Sequence, residues 1–420
     1  MRKFFPGLLV FLMILFPTVS FAAMEAVQVG FGSLVIGGVF QGGMSYHVGD
    51  ELPGLLLDET DGSTEAIAMD RPADVEFWIR YARMNFRGQI IDDRVKYFVQ
   101  LELNPQEGDL NSPYATENNL PYLLDAKLGL KLIPYTTLWA GRYAPKFTYF
   151  NSLNVARLGL IEFPLMNKYF GAGQRQTGLD IDIDHRYFDM ALGVSNGLNY
   201  QSWVERLNPE DRKGAGLGNV GWSDENTQKD FYATIAAKPV KTLRIWAGYW
   251  YGRPNDYFRT KSGNLKPHDA KVDIMDGGLA YLSSFGLTLM GEFFYTTLKY
   301  DNDMPSGQPR DKDFIELAAM SYYGRLGFNM KELVGVPLEL MGQYDYIDPD
   351  TTNDEDTHGS EDEITHYTGA VNYYLKDHHA AIMFNYIYKV EEQKFIEKDG
   401  SGEQTGLDDD EIQVQFQVAF

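Results

Sequence analysis

Apolar and polar side chains alternate with a period of two in segment after segment of this chain, and that period is the signature of β-strands with two unlike faces. In Arg94–Leu103 one face is Val95, Tyr97, Val99, Leu101 and Leu103, the other Arg94, Lys96, Phe98, Gln100 and Glu102. Leu124–Leu132 sets Leu124, Ala126, Leu128, Leu130 and Leu132 against Asp125, Lys127, Gly129 and Lys131, and the last residues interleave Ile412, Val414, Phe416, Val418 and Phe420 with three glutamines. Similar segments lie near 33–46, 75–88, 137–145, 178–185, 187–195, 231–238, 243–251, 272–282, 286–300, 314–326, 336–347, 364–375 and 380–390, which predicts sixteen strands.

The joins between these segments are alternately long and short. Long stretches at 47–74, 104–122, 146–177, 197–229, 252–271, 301–313, 348–363 and 391–410 are separated by tight turns such as Gln89–Asp93, Ile133–Tyr135, Asp184–Arg186, Pro239–Lys241 and Lys376–His379. An even number of antiparallel strands with segregated loops is the layout of a transmembrane barrel, with short periplasmic turns and long external loops. A soluble sandwich has no reason to sort its loops in this way. Closure leaves no strand edge facing lipid. The mean hydropathy of −0.31 fits, since strands that are polar on one face keep the average low.

The beginning of the chain sets the compartment. Arg2 and Lys3 precede an apolar run from Phe4 to Phe16, and Ser20-Phe21-Ala22 is a small-x-small cleavage pattern. A signal peptide over 1–22, cut near Ala22, is expected, leaving 23–420 as the barrel. The run is too short for a spanning helix and is broken by Pro6, Gly7 and Pro17. The absence of cysteine removes disulfide scaffolds, thiolate metal sites and iron–sulfur clusters. A balance of 37 basic against 59 acidic residues argues against nucleic acid as a partner. Aromatic pairs near strand ends, among them Trp246, Tyr249, Trp250, Phe293, Phe294, Tyr322, Tyr323, Tyr386 and Tyr388, read as girdles at the lipid boundaries.

Two stretches resemble the phosphate-selective porin O and P family. One is Glu76-Phe77-Trp78-Ile79-Arg80-Tyr81-Ala82-Arg83-Met84-Asn85-Phe86-Arg87-Gly88; the other runs from Gly141-Arg142-Tyr143-Ala144-Pro145-Lys146-Phe147 through Glu162-Phe163-Pro164 to Gly173–Gly178. The final strand with its terminal Phe420 resembles the signature read by barrel-assembly machinery. The resemblance implies a trimeric outer-membrane porin of sixteen strands, set among lipid and lipopolysaccharide. Its third loop, about 146–177, would fold inward as a constriction.

Strand parity nominates the pore-lining residues. Arg83 and Arg87 share a face with Tyr81 and Asn85 and are expected in the lumen, as are Lys96, Lys127 and Lys131, with Arg142 and Lys146 beyond them. Arg157, Glu162, Lys168 and Arg175 fall in the constriction loop. Such cations either lower the barrier for anions such as phosphate or only solvate the lumen and pair with Asp125, Glu102, Asp180, Asp182 or Asp184. Two counts weigh against a simple anion pore. Between 71 and 187 there are 14 basic and 13 acidic residues, and over 300–420 there are 8 bases against 26 acids, with Glu339 and Asp345 expected to make the lumen acidic. None of the seven histidines sits in a nucleophile-elbow or His-Glu-x-x-His setting, so neither catalysis, metal nor cofactor is expected. Passive diffusion of small hydrophilic solutes or ions is the expected function; a barrel sheathing a partner protein, or a surface adhesin, is the rival.

Overall fold

The computed structural model describes residues 27–29, 32–48, 51–57, 64–70, 75–91, 93–104, 122–169, 175–197, 229–253, 255–259, 265–300, 316–348, 351, 363–391, 394–396, 403–405 and 410–420. Sixteen strands form the wall: β1 Gly32–His47, β2 Val75–Ile90, β3 Val95–Glu102, β4 Tyr122–Ile133, β5 Thr136–Tyr143, β6 Gln176–Asp184, β7 Phe188–Ser195 and β8 Asp230–Val240, then β9 Leu243–Gly252, β10 Leu265–Leu282, β11 Leu287–Tyr300, β12 Glu316–Asn329, β13 Leu338–Asp348, β14 Ile364–Lys376, β15 Ala380–Glu391 and β16 Glu411–Ala419. Each pairs antiparallel with its chain neighbours, and β16 closes on β1 from Val39↔Ala419 to His47↔Glu411. The sixteen-stranded closed barrel expected from the alternation is therefore present. Short strands accompany it: Val27–Val29 pairs antiparallel with the start of β1, Asn255–Arg259 pairs with β10, and Glu51–Leu57, Thr64–Asp70, Lys394–Ile396 and Glu403–Thr405 form a separate four-stranded sheet.

The alternation now acquires directions. Leu128, Leu130, Leu179, Ile181, Phe231, Ile235, Met275, Leu279, Phe293, Leu326 and Leu340 are exposed on the outer surface, the apolar band that a transmembrane barrel needs there. No helix among the described residues is long and apolar enough to cross a membrane, so the wall spans by strands. The opposite face points inward, and its side chains belong to the lumen.

One wall of that lumen is apolar. Trp246, Trp250, Val272, Ile274, Met290, Phe294, Leu298, Tyr323 and Ile347 face inward and are buried with Phe147, Tyr149, Phe150, Leu158, Leu165 and Met166 of the segment between β5 and β6. This corrects part of the girdle reading. Alternation sends neighbouring aromatics to opposite faces, so Tyr249, Phe293 and Tyr322 reach the outer surface while Trp246, Trp250, Phe294 and Tyr323 form the bed for the third loop.

Candidate functional site

The third loop descends from Tyr143 into the lumen and is bonded to strands around the barrel. Two short 3-10 turns, Phe150–Ser152 and Val155–Arg157, and the helix Leu165–Tyr169 give it shape. Asn154 caps the second turn, its side chain accepting from the Ala156 amide at 3.0 Å. Gly159 follows at φ +74°, a left-handed conformation that favours glycine, and a Cβ there would come within 2.6 Å of the Met341 sulfur.

Wall side chains satisfy the loop's backbone. Glu292 accepts from the Tyr149 amide at 2.8 Å and from the Tyr323 hydroxyl at 2.9 Å. Asp345 accepts from the Leu165 amide at 3.3 Å and from Gln343 at 2.6 Å. Asn372 donates to the Gly159 carbonyl at 2.7 Å, Gln417 to the Ala156 carbonyl at 2.9 Å, and Arg325 to the Leu158 carbonyl. A buried loop must place its backbone polar groups in this way or lose them to desolvation. Aromatic packing completes the mooring: Phe147 meets Trp250 edge-on at 5.5 Å between centroids, and Tyr149 stacks on Trp246 at 5.2 Å.

A β-bulge brings in one cation that strict alternation misses. The register of β2 on β1 shifts between Gln41↔Tyr81 and Gly42↔Ile79, leaving Arg80 as the extra residue. Arg80 turns inward beside Tyr81, donates to the Ile161 carbonyl at 2.7 Å and pairs with Glu162. Glu162 also accepts from Gln413 at 3.0 Å, so both ends of the closing seam hold the loop.

The nominated cations fall into distinct settings. Arg83 is buried over the Tyr81 ring and paired with fully buried Glu102 at 2.7 Å, so its charge is compensated. Arg87 shares its face near the periplasmic end and is exposed. Lys96 and Lys127 lie inward by register and are partly exposed. Lys131 pairs with Asp93 of the adjoining turn at 2.7 Å. That contact, aided by a weaker attraction from Lys96 and opposed by burial, holds the Asp93 carboxyl below the usual range. Lys146 pairs with inward Asp182, and Arg175 lies 3.5 Å from Asp125. Arg157 is exposed at the loop's second turn. Lys168 belongs to the helix Leu165–Tyr169, and its side chain lies outside the described residues.

Arg142 is a correction. Its register partners are Ala126 and Thr177, which places it with Leu138 and Ala140 on the outward face rather than in the lumen. The alternation of Trp139, Gly141 and Tyr143 with Leu138, Ala140 and Arg142 carried this parity in the sequence.

The acids also move in meaning. Glu339 and Asp345 do face inward, but with Asp276 and Glu292 they are buried beneath the third loop and bonded to its backbone or to the aromatics that bed it. Most of the acidic run 350–363 and of 406–409 lies outside the described residues.

A closed sixteen-stranded wall, an apolar outer belt and a loop bonded across the interior define an outer-membrane porin. Residues 295–420 match the family described as Phosphate-selective porin O and P, so the resemblance read from 76–88 and 141–178 is borne out in a different part of the chain. No curated protein matches the sequence. Among solved structures, the outer-membrane channel DcaP of Acinetobacter baumannii is similar with a TM-score of 0.59 at 11% identity, over 93% of this chain and 97% of that one. OmpT of Vibrio cholerae gives 0.57 at 11%, over 94% and 100%. An anion-selective porin from Comamonas acidovorans gives 0.56 at 14%, over 93% and 100%. At these identities the likeness is one of fold. The barrel fold and the family match over 295–420 together put the protein in the outer membrane of a Gram-negative bacterium.

Proposed function

We propose that this porin passes small hydrophilic solutes passively and favours anions, with phosphate among them. One observation carries the reading: the inward acids of β10, β11 and β13 are sealed under the third loop, while Arg87, Lys96 and Lys127 on β2, β3 and β4 stay partly exposed. Among the described residues these three cations have no ion pair. The permeant therefore meets a lumen more basic than the chain's net charge of −22 suggests. No energy coupling is needed, only lumen width, charge placement and the inserted loop. The loop's packing against strands around the barrel also disfavours a sheath for a protein guest, since it occupies the space the guest would need.

The same reading takes the leader to be removed near Ala22, Phe420 to be read by the assembly machinery, and the barrel to be a homotrimer; the OmpT of Vibrio cholerae is described in a trimer form. Planar-bilayer recording of the purified protein tests the function. Discrete ohmic steps and a reversal potential of anion-preferring sign across a KCl gradient are expected. Folded, heat-modifiable barrels without steps would overturn the porin reading, and a cation-preferring sign would overturn the anion preference. Replacing Arg87, Lys96 and Lys127 together by Gln lowers the anion-to-cation permeability ratio by roughly twofold or more, the scale of even one screened charge near the path.

A further inference from the structure

The periplasmic half of the lumen carries aromatic surface that the loop does not cover. Phe98 on β3 and Trp139 on β5 face inward and are only partly buried. Between them, on β4, Lys127 holds its Nζ 4.8 Å from the Trp139 ring centroid and 5.8 Å from that of Phe98. Trp139 is paired with Gly129, where a Cβ would stand 2.6 Å from the indole. The glycine thus lets the ring lie against the wall, with its remaining surface left to the lumen. Lys96 is opposite Gly129 on the other side, and Arg87 is opposite Phe98.

The chemistry of this patch is specific. Exposed rings in a water-filled pore are an apolar cost unless something covers them, and a flat π-face covers a ring best in an offset or edge-on arrangement. A solute carrying a carboxylate on the same ring would set that charge against the ammonium of Lys127 or Lys96, or the guanidinium of Arg87. Inorganic phosphate uses only the charges, and a neutral sugar only the rings. We propose that Phe98, Trp139 and Lys127, flanked by Lys96 and Arg87, form a stacking subsite for planar aromatic carboxylates on their way through the pore. This deepens the porin reading and rests on it.

The test compares benzoate with cyclohexanecarboxylate, which has the same charge and a similar ring without a π-face. Current through the full-length protein in planar bilayers is recorded in KCl with each acid added, and inorganic phosphate serves as a third probe. Benzoate is expected to block with roughly fivefold higher apparent affinity than its saturated analogue, the fold-change that one aromatic pair supplies. Trp139→Ala is expected to remove that difference while chloride steps persist. Equal block by the two acids, or an undiminished preference in Trp139→Ala, would overturn the subsite. Should Trp139→Ala fail to fold, Phe98→Leu keeps the apolar volume and removes one ring. Isothermal calorimetry with benzoate on the folded barrel in detergent reads the subsite without conduction. Loss of ohmic steps therefore counts against the porin reading, and loss of benzoate preference against the subsite alone.

Discussion

Arg83 carries a full charge yet adds little field to the lumen, because Glu102 neutralises it at 2.7 Å in a buried pair. Removing one partner of such a pair strands the other. Arg83→Met should therefore destabilise the barrel by roughly 3–5 kcal/mol, read as a lower urea midpoint, and Arg83→Met with Glu102→Gln should recover most of it. The double variant's reversal potential should match the wild type, whereas Arg87→Gln should shift it. His378, in the turn after β14, is held below its ordinary titration range by burial first, with Arg157 adding to the shift and Glu339 and Asp377 opposing it. The folded state thus binds its proton less readily than the unfolded chain. Its contribution is complete above the unfolded value of about 6.5 and is lost as pH falls below that. Thermal midpoints from pH 7.5 to 5 should drop more steeply in the wild type than in His378→Gln.

At the scale of elements, strands were legible and the loop's grip was not. Period two marks both faces of β3, β4 and β16, which puts Lys127 and Phe98 each on an inward face, but that the two stand side by side is set by the strand register and not by the pattern. Arg80 escaped because a bulge inserts one residue and resets the parity of everything before it, which no local pattern announces. The bed of Trp246, Trp250, Phe294 and Tyr323 looked like girdle, since a ring near a strand end suits lipid or loop equally until the loop's path is known. Arg142 departs from the lumen expectation for a simpler reason: it shares the parity of Leu138 and Ala140 and not that of Trp139. Phe150 is buried against Tyr149, Phe163 and Tyr323. Phe150→Ala should loosen the third loop by roughly 3–5 kcal/mol of anchoring, seen as larger and noisier conductance steps. The barrel's own urea midpoint should move far less, since the strand ladders do not depend on that ring.

For the molecule as a whole, closure was readable because the loop lengths and the sixteen alternating segments agree on it. The charge balance of the lumen was not, because the sum over residues counts Asp276, Glu292, Glu339 and Asp345 as if the solute met them. Those four lie behind the third loop, and this makes pore width and pore sign one variable instead of two. A barrel whose loop has lifted would be wider and would also present a carboxylate wall, so each gain in throughput would erode the discrimination between ions. Among loop-loosening variants, single-channel conductance and anion preference should therefore fall on one descending line. A filter of this kind cannot be widened without becoming a different filter.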